Sequence, residues 1–338
     1  MNTKRFTLLA LAVLASTLTF GTANAQQTQS AQPAAKVFRV GALFNRVPGP
    51  EDLGVLKKEL ARLGYVEGTN IAFEARGAEG KLDRLPGFAA ELVAMNVDVI
   101  ATYGGPPTAA ARNATTTIPI VAALVADPVA IGAAATLARP SGNVTGITNH
   151  DPLRATRQLT ILKEVFPRLA RVAFLSDADI PGADASGFAP IERDNIAAAA
   201  ATNIRPQTLK LRGPTPDLAA ALDSVVSEKA DVIVVMEVPV TILARARIIE
   251  LATARRIPVM FWGGVSDAGV LMSYGTTFVD TFLRMPLVVD KILKGAKPAE
   301  TPFEEVTRQE FIVNLKVARE LGVTIPLEVL KRADRVIE

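Results

Sequence analysis

Val97-Asp98-Val99-Ile100-Ala101-Thr102-Tyr103-Gly104-Gly105-Pro106-Pro107-Thr108 is the stretch whose reading decides the fold. Residues 97–103 are dense in β-branched side chains and form a short apolar run, which predicts a strand buried on both faces. Gly104 to Pro107 break that pattern, and a short helix is expected from about Thr108 to Ala114. Just upstream, Leu85, Phe88, Leu92 and Met95 recur at helical spacing and stripe one face. Helix, apolar strand, Gly-Pro turn and helix together form the unit of a parallel sheet covered on both faces.

The same unit extends in both directions. Upstream, 37–44 reads as a strand, Leu53, Leu56, Leu60 and Leu63 mark a helix closed by Gly64, and 71–76 is a second strand. Downstream, 118–125 and 144–148 are strands four and five. The alternation then restarts: helix 154–166, strand 171–176, helix 190–203, strand 207–211, helix 218–229, strand 231–236, helix 242–255 and strand 258–262. Two tandem α/β units joined near 148–153 mean two Rossmann-like lobes rather than one wide sheet. The remainder holds a strand at 269–274, a helix at 278–293 ended by Gly295 and Pro298, an extended stretch at 303–313 and a helix at 315–321. Such segments suit crossings back over both lobes, which build a hinge of several strands. The expected division assigns 37–148 and 272–300 to the first lobe, and 149–271 and 301–338 to the second.

The N-terminus reads as a secretion signal. Lys4 and Arg5 precede an apolar stretch from Phe6 to Leu18, and Ala23-Asn24-Ala25 supplies the small residues for cleavage before Gln26. A retained anchor is the competing reading, but the stretch is short of the roughly 20 apolar residues a bilayer requires. Residues 26–36 form a Gln/Ala/Thr/Ser-rich tether. The expected location is therefore the periplasm. The chain has no cysteine, which removes lipidation, disulfides and thiolate chemistry. The net charge of +3 includes Lys4 and Arg5, so the exported part is nearly neutral. No basic tract argues for nucleic acid.

Ligands of open parallel sheets bind beyond the carboxyl ends of the strands, so the loops there carry the candidate site. They include Phe44 and the Asn45-Arg46-Val47-Pro48-Gly49-Pro50 loop, then Tyr103 with Gly104, Gly105, Pro107 and Thr108. Asp127 and Asn149 follow, and the second unit contributes Asp177, Glu237, Trp262 and Tyr274. The Gly104–Thr108 turn reads either as backbone open to a carboxylate or phosphate, with a hydroxyl from Thr108, or as an ordinary strand-to-helix turn. Its prolines remove N–H donors, which weakens the first reading. Asp127 and Glu237 could hold an ammonium, although Asp127 before Pro128 suits an Asx turn equally. Phe44, Tyr103, Trp262 and Tyr274 are singly more simply core residues; as a group they favour a ligand with a planar or apolar part.

His150, the sole histidine, lies in the expected link between lobes and makes a poor metal site alone. Asp177, Asp179, Gly182 and Asp184 faintly echo a calcium loop, but its twelfth position is Phe188. No metal or cofactor is expected. The chain lacks G-x-x-x-x-G-K-[ST] and G-x-S-x-G, and any histidine-dependent triad would rest on His150 alone. These absences favour a binder over an enzyme.

Several motifs carry a resemblance to a family. They are Leu63-Gly64-Tyr65-Val66-Glu67-Gly68, residues 85–99 with Glu91-Leu92-Val93, Ile118-Pro119-Ile120-Val121, Asp127-Pro128-Val129, and the run from Leu137 to Gly146. Lys291 to Pro298, Asn314-Leu315 and 318–326 complete the set. The chain from about Arg39 to Glu338 resembles ABC-transporter substrate-binding proteins of the tryptophan/tyrosine type, with the type I periplasmic-binding fold. The resemblance implies a monomer that delivers a small organic solute to a membrane permease and its ATPase. It implies a ligand near Asn45, Gly105 to Thr108 and Asp127, with Asp177 and Glu237 opposite. Two departures fall in that pocket: Asn45 to Pro50 replaces a serine-rich loop, and Ala126 stands where many relatives have glycine. Ligand identity therefore does not carry over. Two other readings compete: a periplasmic sensor that reports to a membrane receptor, and an enzyme whose only candidate acid–base pair is Asp127 with Glu237.

Overall fold

A computed structural model describes residues 36–338 except 49 and 141. The expected signal and nearly all of the tether lie outside the described residues. The described chain forms one compact unit built on two sheets.

The first lobe runs β1 (Phe38–Phe44), α1 (Pro50–Arg62), β2 (Ile71–Gly77), α2 (Leu85–Ala94), β3 (Val99–Tyr103), α3 (Gly105–Ala114), β4 (Ile120–Val125) and β5 (Val144–Thr148). The second runs α4 (Arg154–Val165), β6 (Arg171–Asp177), α5 (Pro190–Ala201), β7 (Arg205–Leu211), α6 (Leu218–Ser227), β8 (Val232–Val235), α7 (Pro239–Leu243), α8 (Arg245–Ala254), β9 (Val259–Phe261) and β10 (Met272–Thr276). Then come α9 (Phe278–Leu293), β11 (Glu304–Glu305), β12 (Gln309–Asn314), α10 (Leu315–Leu321), α11 (Leu327–Leu330) and β13 (Arg335–Ile337).

The first sheet has the order β11-β5-β4-β3-β1-β2, and its pairings are parallel. The second has the order β13-β12-β10-β9-β8-β6-β7 and is parallel except where β12 runs against β10. In each sheet the strand order reverses at the first strand of the unit, β1 or β6. The adjoining loops splay apart there and leave a crevice. Strands buried on both faces explain the unbroken apolar runs: every residue of β3, β5 and β8 is buried.

Leu56 and Leu60 of α1 cover one face of the first sheet together with Met285, Val288 and Val289 of α9. Leu85, Ala89 and Leu92 of α2 cover the other face. Each such leucine contributes about 1.5–3 kcal/mol by burial. Thus α9 belongs to the first lobe, as its helical pattern and position in the chain suggest. Tyr65 Oη anchors its far end by donating to Asp290 over 3.0 Å.

The chain crosses between sheets after β5, after β10 and after β11. Two boundaries differ from expectation: residues 304–305, placed with the second lobe by sequence, form β11 on the edge of the first sheet beside β5, and the start of the 272–300 segment moves as well. Residues 272–276, placed with the first lobe by sequence, form β10 of the second sheet, paired with β9 and β12. A five-residue strand has little to reveal its sheet, and only the helix after it turns to the first lobe. Two further differences are local. The helix expected over 242–255 starts at Pro239 and breaks at Ala244. The closing α11 and β13 are too short for a periodic signal.

Candidate functional site

The carboxyl ends of the two sheets face each other across a cleft of about 1100 Å³, counted with its open mouth. Pockets for small organic ligands are concave and mostly apolar, with a few placed polar groups. Loops of both lobes line this one. The lobes touch at its rim: a methyl group on Gly105 of the first would lie 3.3 Å from Pro181 Cγ of the second.

On the first-lobe side, β1 and β3 are neighbours in exact step, with Phe44 beside Tyr103. Register therefore stacks their rings, with centroids 4.3 Å apart and planes at 10°. Both rings line the cleft. The stack continues along α9: Phe282 lies 5.7 Å from Tyr103, Phe278 lies 6.2 Å from Phe282, and Trp262 of the second lobe lies 6.5 Å from Phe278. An aromatic ladder thus runs behind the ligand space from one lobe to the other. Phe278 and Phe282 line the cleft as well. The sequence places them in the helix at 278–293 without a ligand role; their i, i+4 spacing just after a crossover is the available signal.

Asn45 follows Phe44 into the cleft. Its Nδ2 donates to the Tyr103 carbonyl over 3.4 Å, while its Oδ1 is shut from solvent without a hydrogen-bond partner. Gly104 caps α3 at φ 103°, a conformation that glycine alone adopts freely. The helix begins at Gly105, three residues earlier than expected, which makes Pro106 and Pro107 part of its first turn. Thr108 consequently faces inward. It is fully buried, 2.7 Å from Thr102 Oγ1, and donates to the Gly104 carbonyl at 2.8 Å. The hydroxyl expected to meet a ligand is spent on the fold, and neither Pro107 nor Thr108 lines the cleft. Asp127 does line it, but its Oδ1 accepts from Val129 and Ala130 N–H at 3.0 and 2.9 Å, the Asx-type turn that its sequence allowed. Leu124, just before it, has φ 58° where β4 slips register against β5, and its side chain lines the cleft.

On the second-lobe side, Glu237 is the polar centre. Asn149 Nδ2 donates to both its carboxylate oxygens at 3.1 and 3.2 Å, and Arg154 Nη1 donates to Oε2 at 3.2 Å. The Arg154 and Glu237 side chains are 12% and 6% exposed. Burial pushes the Glu237 carboxyl up to about 7, against the downward pull of Arg154 and Asn149. Asn149 stands in the first crossover, so it meets the cleft only through Glu237. His150 follows it, with its backbone N–H on Thr148 Oγ1 at 3.0 Å.

Three further expected residues lie elsewhere. Asp177 is buried and accepts from Asp179 and Val240 N–H at 2.9 and 3.0 Å, which caps α7. Burial raises its pKa more than those bonds lower it. Trp262 is buried edge-on against Phe261 in the second core. Tyr274 packs on Phe311 in a separate depression with Arg157 and Asp334. Asp177 and Trp262 turn away from the cleft at the ends of their strands, whereas Tyr274 stands mid-strand, because β10 runs on to Thr276 rather than ending there. The structure therefore brings Phe44, Asn45, Tyr103, Gly104, Gly105, Asp127 and Glu237 together. Unforeseen apolar lining comes from Ile131, Ile180, Pro181, Ile191 and Ile242. Among the described residues no group of three or more His, Asp or Glu side chains is placed to hold a metal ion. Among them, too, no helix is long and apolar enough to cross a membrane.

Two parallel-sheet lobes, a crossed hinge and a strand-end cleft define a solute-binding protein with the type I periplasmic-binding fold. Residues 51–337 match the family model for ABC transporter substrate binding proteins, and the chain belongs to that family. It is 24% identical over 259 residues to the tyrosine-binding protein of Clostridioides difficile strain R20291, covering 76% of this chain and 72% of that one. A conserved domain protein from Vibrio cholerae superposes with a TM-score of 0.77 at 25% identity, over 89% of this chain and all of that one. An ABC domain from Streptococcus pneumoniae, solved in complex with L-Trp, superposes with a TM-score of 0.76 at 24% identity over the same shares.

Proposed function

We propose that this chain is the periplasmic receptor of an ABC importer. It captures one small organic ligand of amino-acid-like size between its lobes, without turnover, and delivers it to a membrane permease and its ATPase. The observation that carries this reading is the cleft itself, lined from both lobes by strand-end loops, with stacked aromatics on one side and a buried carboxylate on the other. The tyrosine-binding relative and the neighbour solved with L-Trp support a ligand with a planar part. Export through residues 1–25 and action as a monomer complete the proposal. A thermal-shift screen of organic solutes tests it. A true ligand at 100 times its Kd adds about 2.7 kcal/mol of stability. Stabilisation by a solute that the cells also import, and whose uptake needs this chain, is the expected result. If no solute stabilises the protein, or uptake is unchanged without it, the proposal fails.

A further inference from the structure

Two carboxylates and one cation line the cleft, and many of the helix-start N–H groups around it are taken up by the chain; we infer that its ligand is an aryl-alkyl amine, or a like donor-bearing apolar molecule, that lacks a carboxylate or phosphate. The inference rests on the cleft being the ligand site and names the polar end of that ligand.

Backbone N–H groups at turns and helix starts are what an anion normally uses in such a crevice. Here many of them are withdrawn, those of Gly105 and Ile191 excepted. Pro106, Pro107, Pro128, Pro190 and Pro239 have no N–H to offer. After β3, the Thr108 N–H donates to the Gly104 carbonyl at 3.2 Å, and its hydroxyl is buried in the fold. After β4, the Val129 and Ala130 N–H groups are held by Asp127. At the start of α7, the Val240 N–H is held by Asp177. At the start of α5, the Glu192 and Arg193 N–H groups donate to the Ala189 carbonyl at 3.0 Å. The fully buried Glu192 carboxylate, 3.1 Å from Lys210 Nζ, takes the Ala189 N–H at 2.7 Å. It fills, with an acceptor of the chain's own, the helix end that would otherwise attract an anion.

Beside Arg46, the charged side chains on the cleft wall are the carboxylates of Asp127 and Glu237. Asn45 Oδ1 is buried with no partner, Asp127 keeps its second oxygen, and Glu237 lines the wall. An orphaned buried acceptor is costly, and a ligand N–H would satisfy it once the Asn45 amide turns into the open cleft. Arg46 is the one cation among the described lining residues, and the chain itself engages it, in part through the Val47 carbonyl at 3.5 Å. The rest of the lining is aromatic or aliphatic and fits a planar body.

Calorimetric titration with matched trios tests the inference: phenethylamine, phenylalanine and 3-phenylpropionate, then tryptamine, tryptophan and indole-3-propionate. The amine of at least one trio should bind at least about tenfold more tightly than its amino acid, a gap of about 1.4 kcal/mol, and the acid should not bind. Asn45→Leu should erase most of the amine's advantage while the melting temperature holds. Glu237→Gln should weaken the amine and leave an uncharged binder unaffected. Equal or tighter binding of an amino acid or acid would overturn the inference and leave the receptor proposal intact. So would binding by none of the six when another solute from the screen binds. Failure of the whole screen would instead remove the receptor proposal.

Discussion

The two lobes share a strand order and use it differently at the cleft. Where the first strand of each unit ends stands a short polar residue, Asn45 just past β1 in one lobe and Asp177 as the last residue of β6 in the other. Asn45 turns into the cleft, whereas Asp177 turns back to cap α7. After the strand on the other side of each switch point, the first lobe presents bare backbone, Gly104 and Gly105, and the second presents Glu237. The first lobe thus offers shape and ring stacking. The second offers a charge tied to the hinge, because Asn149 and Arg154, which hold Glu237, flank the first crossover. Equivalent positions in a repeated fold therefore fix where a ligand sits, while local capping decides which side chains reach it.

The contrast is broken most severely at Gly105, where the lobes meet. Gly105→Phe should prevent closure on Pro181, and ligand-induced compaction should vanish in hydrodynamic measurements while the melting temperature stays near that of the parent. Retained compaction would show that the lobes do not close at this contact. Glu237→Ala comes next. It leaves Arg154 buried without its anion, and denaturant unfolding should show a loss of about 3–5 kcal/mol. Glu237→Gln keeps an acceptor for Arg154 and Asn149 and should cost much less.

The same residue predicts a pH dependence. The Glu237 pKa rises from 4.5 to about 7 on folding. The folded protein then holds a proton that the unfolded chain releases, so this group's contribution to stability is greatest below about pH 4.5 and is lost as pH rises through about 7. Unfolding of the parent and of Glu237→Gln measured across that window should diverge in this sense; parallel curves would exclude it.

Smaller effects separate fold from ligand contact in the first lobe. Thr108→Val should cost about 1–3 kcal/mol through the orphaned Thr102 hydroxyl, with ligand affinity unchanged in calorimetry. Asp127→Ala should cost about 1 kcal/mol through its turn. Any loss of affinity beyond that measures what its second oxygen does for the ligand.

Much of this was legible in the sequence. The strand-dense runs at 97–103 and 231–236 are apolar throughout because both faces are covered, and that alone gives paired parallel sheets. Loops after strands locate the cleft, and Asn45, Gly105, Asp127 and Glu237 do line it. What could not be read was direction. Thr108, Asp177, Trp262 and Tyr274 read in the sequence like the residues that reach the cleft, yet a helix starting at Gly105, a cap on α7, side-chain alternation and a strand that runs on to Thr276 turn them away. Phe278 and Phe282 escaped because their helix lies far along the chain and joins the cleft only after the second crossover. The link from Asn149 to Glu237 spans sequence that no local pattern connects.

Small-angle scattering during titration with the best solute from a thermal-shift screen tests most directly whether this cleft is a closing ligand site. Saturation at one molecule per chain, a smaller radius of gyration and loss of both in Gly105→Phe is the predicted result. Binding that leaves the radius unchanged, or that persists unaltered in Gly105→Phe, would contradict it.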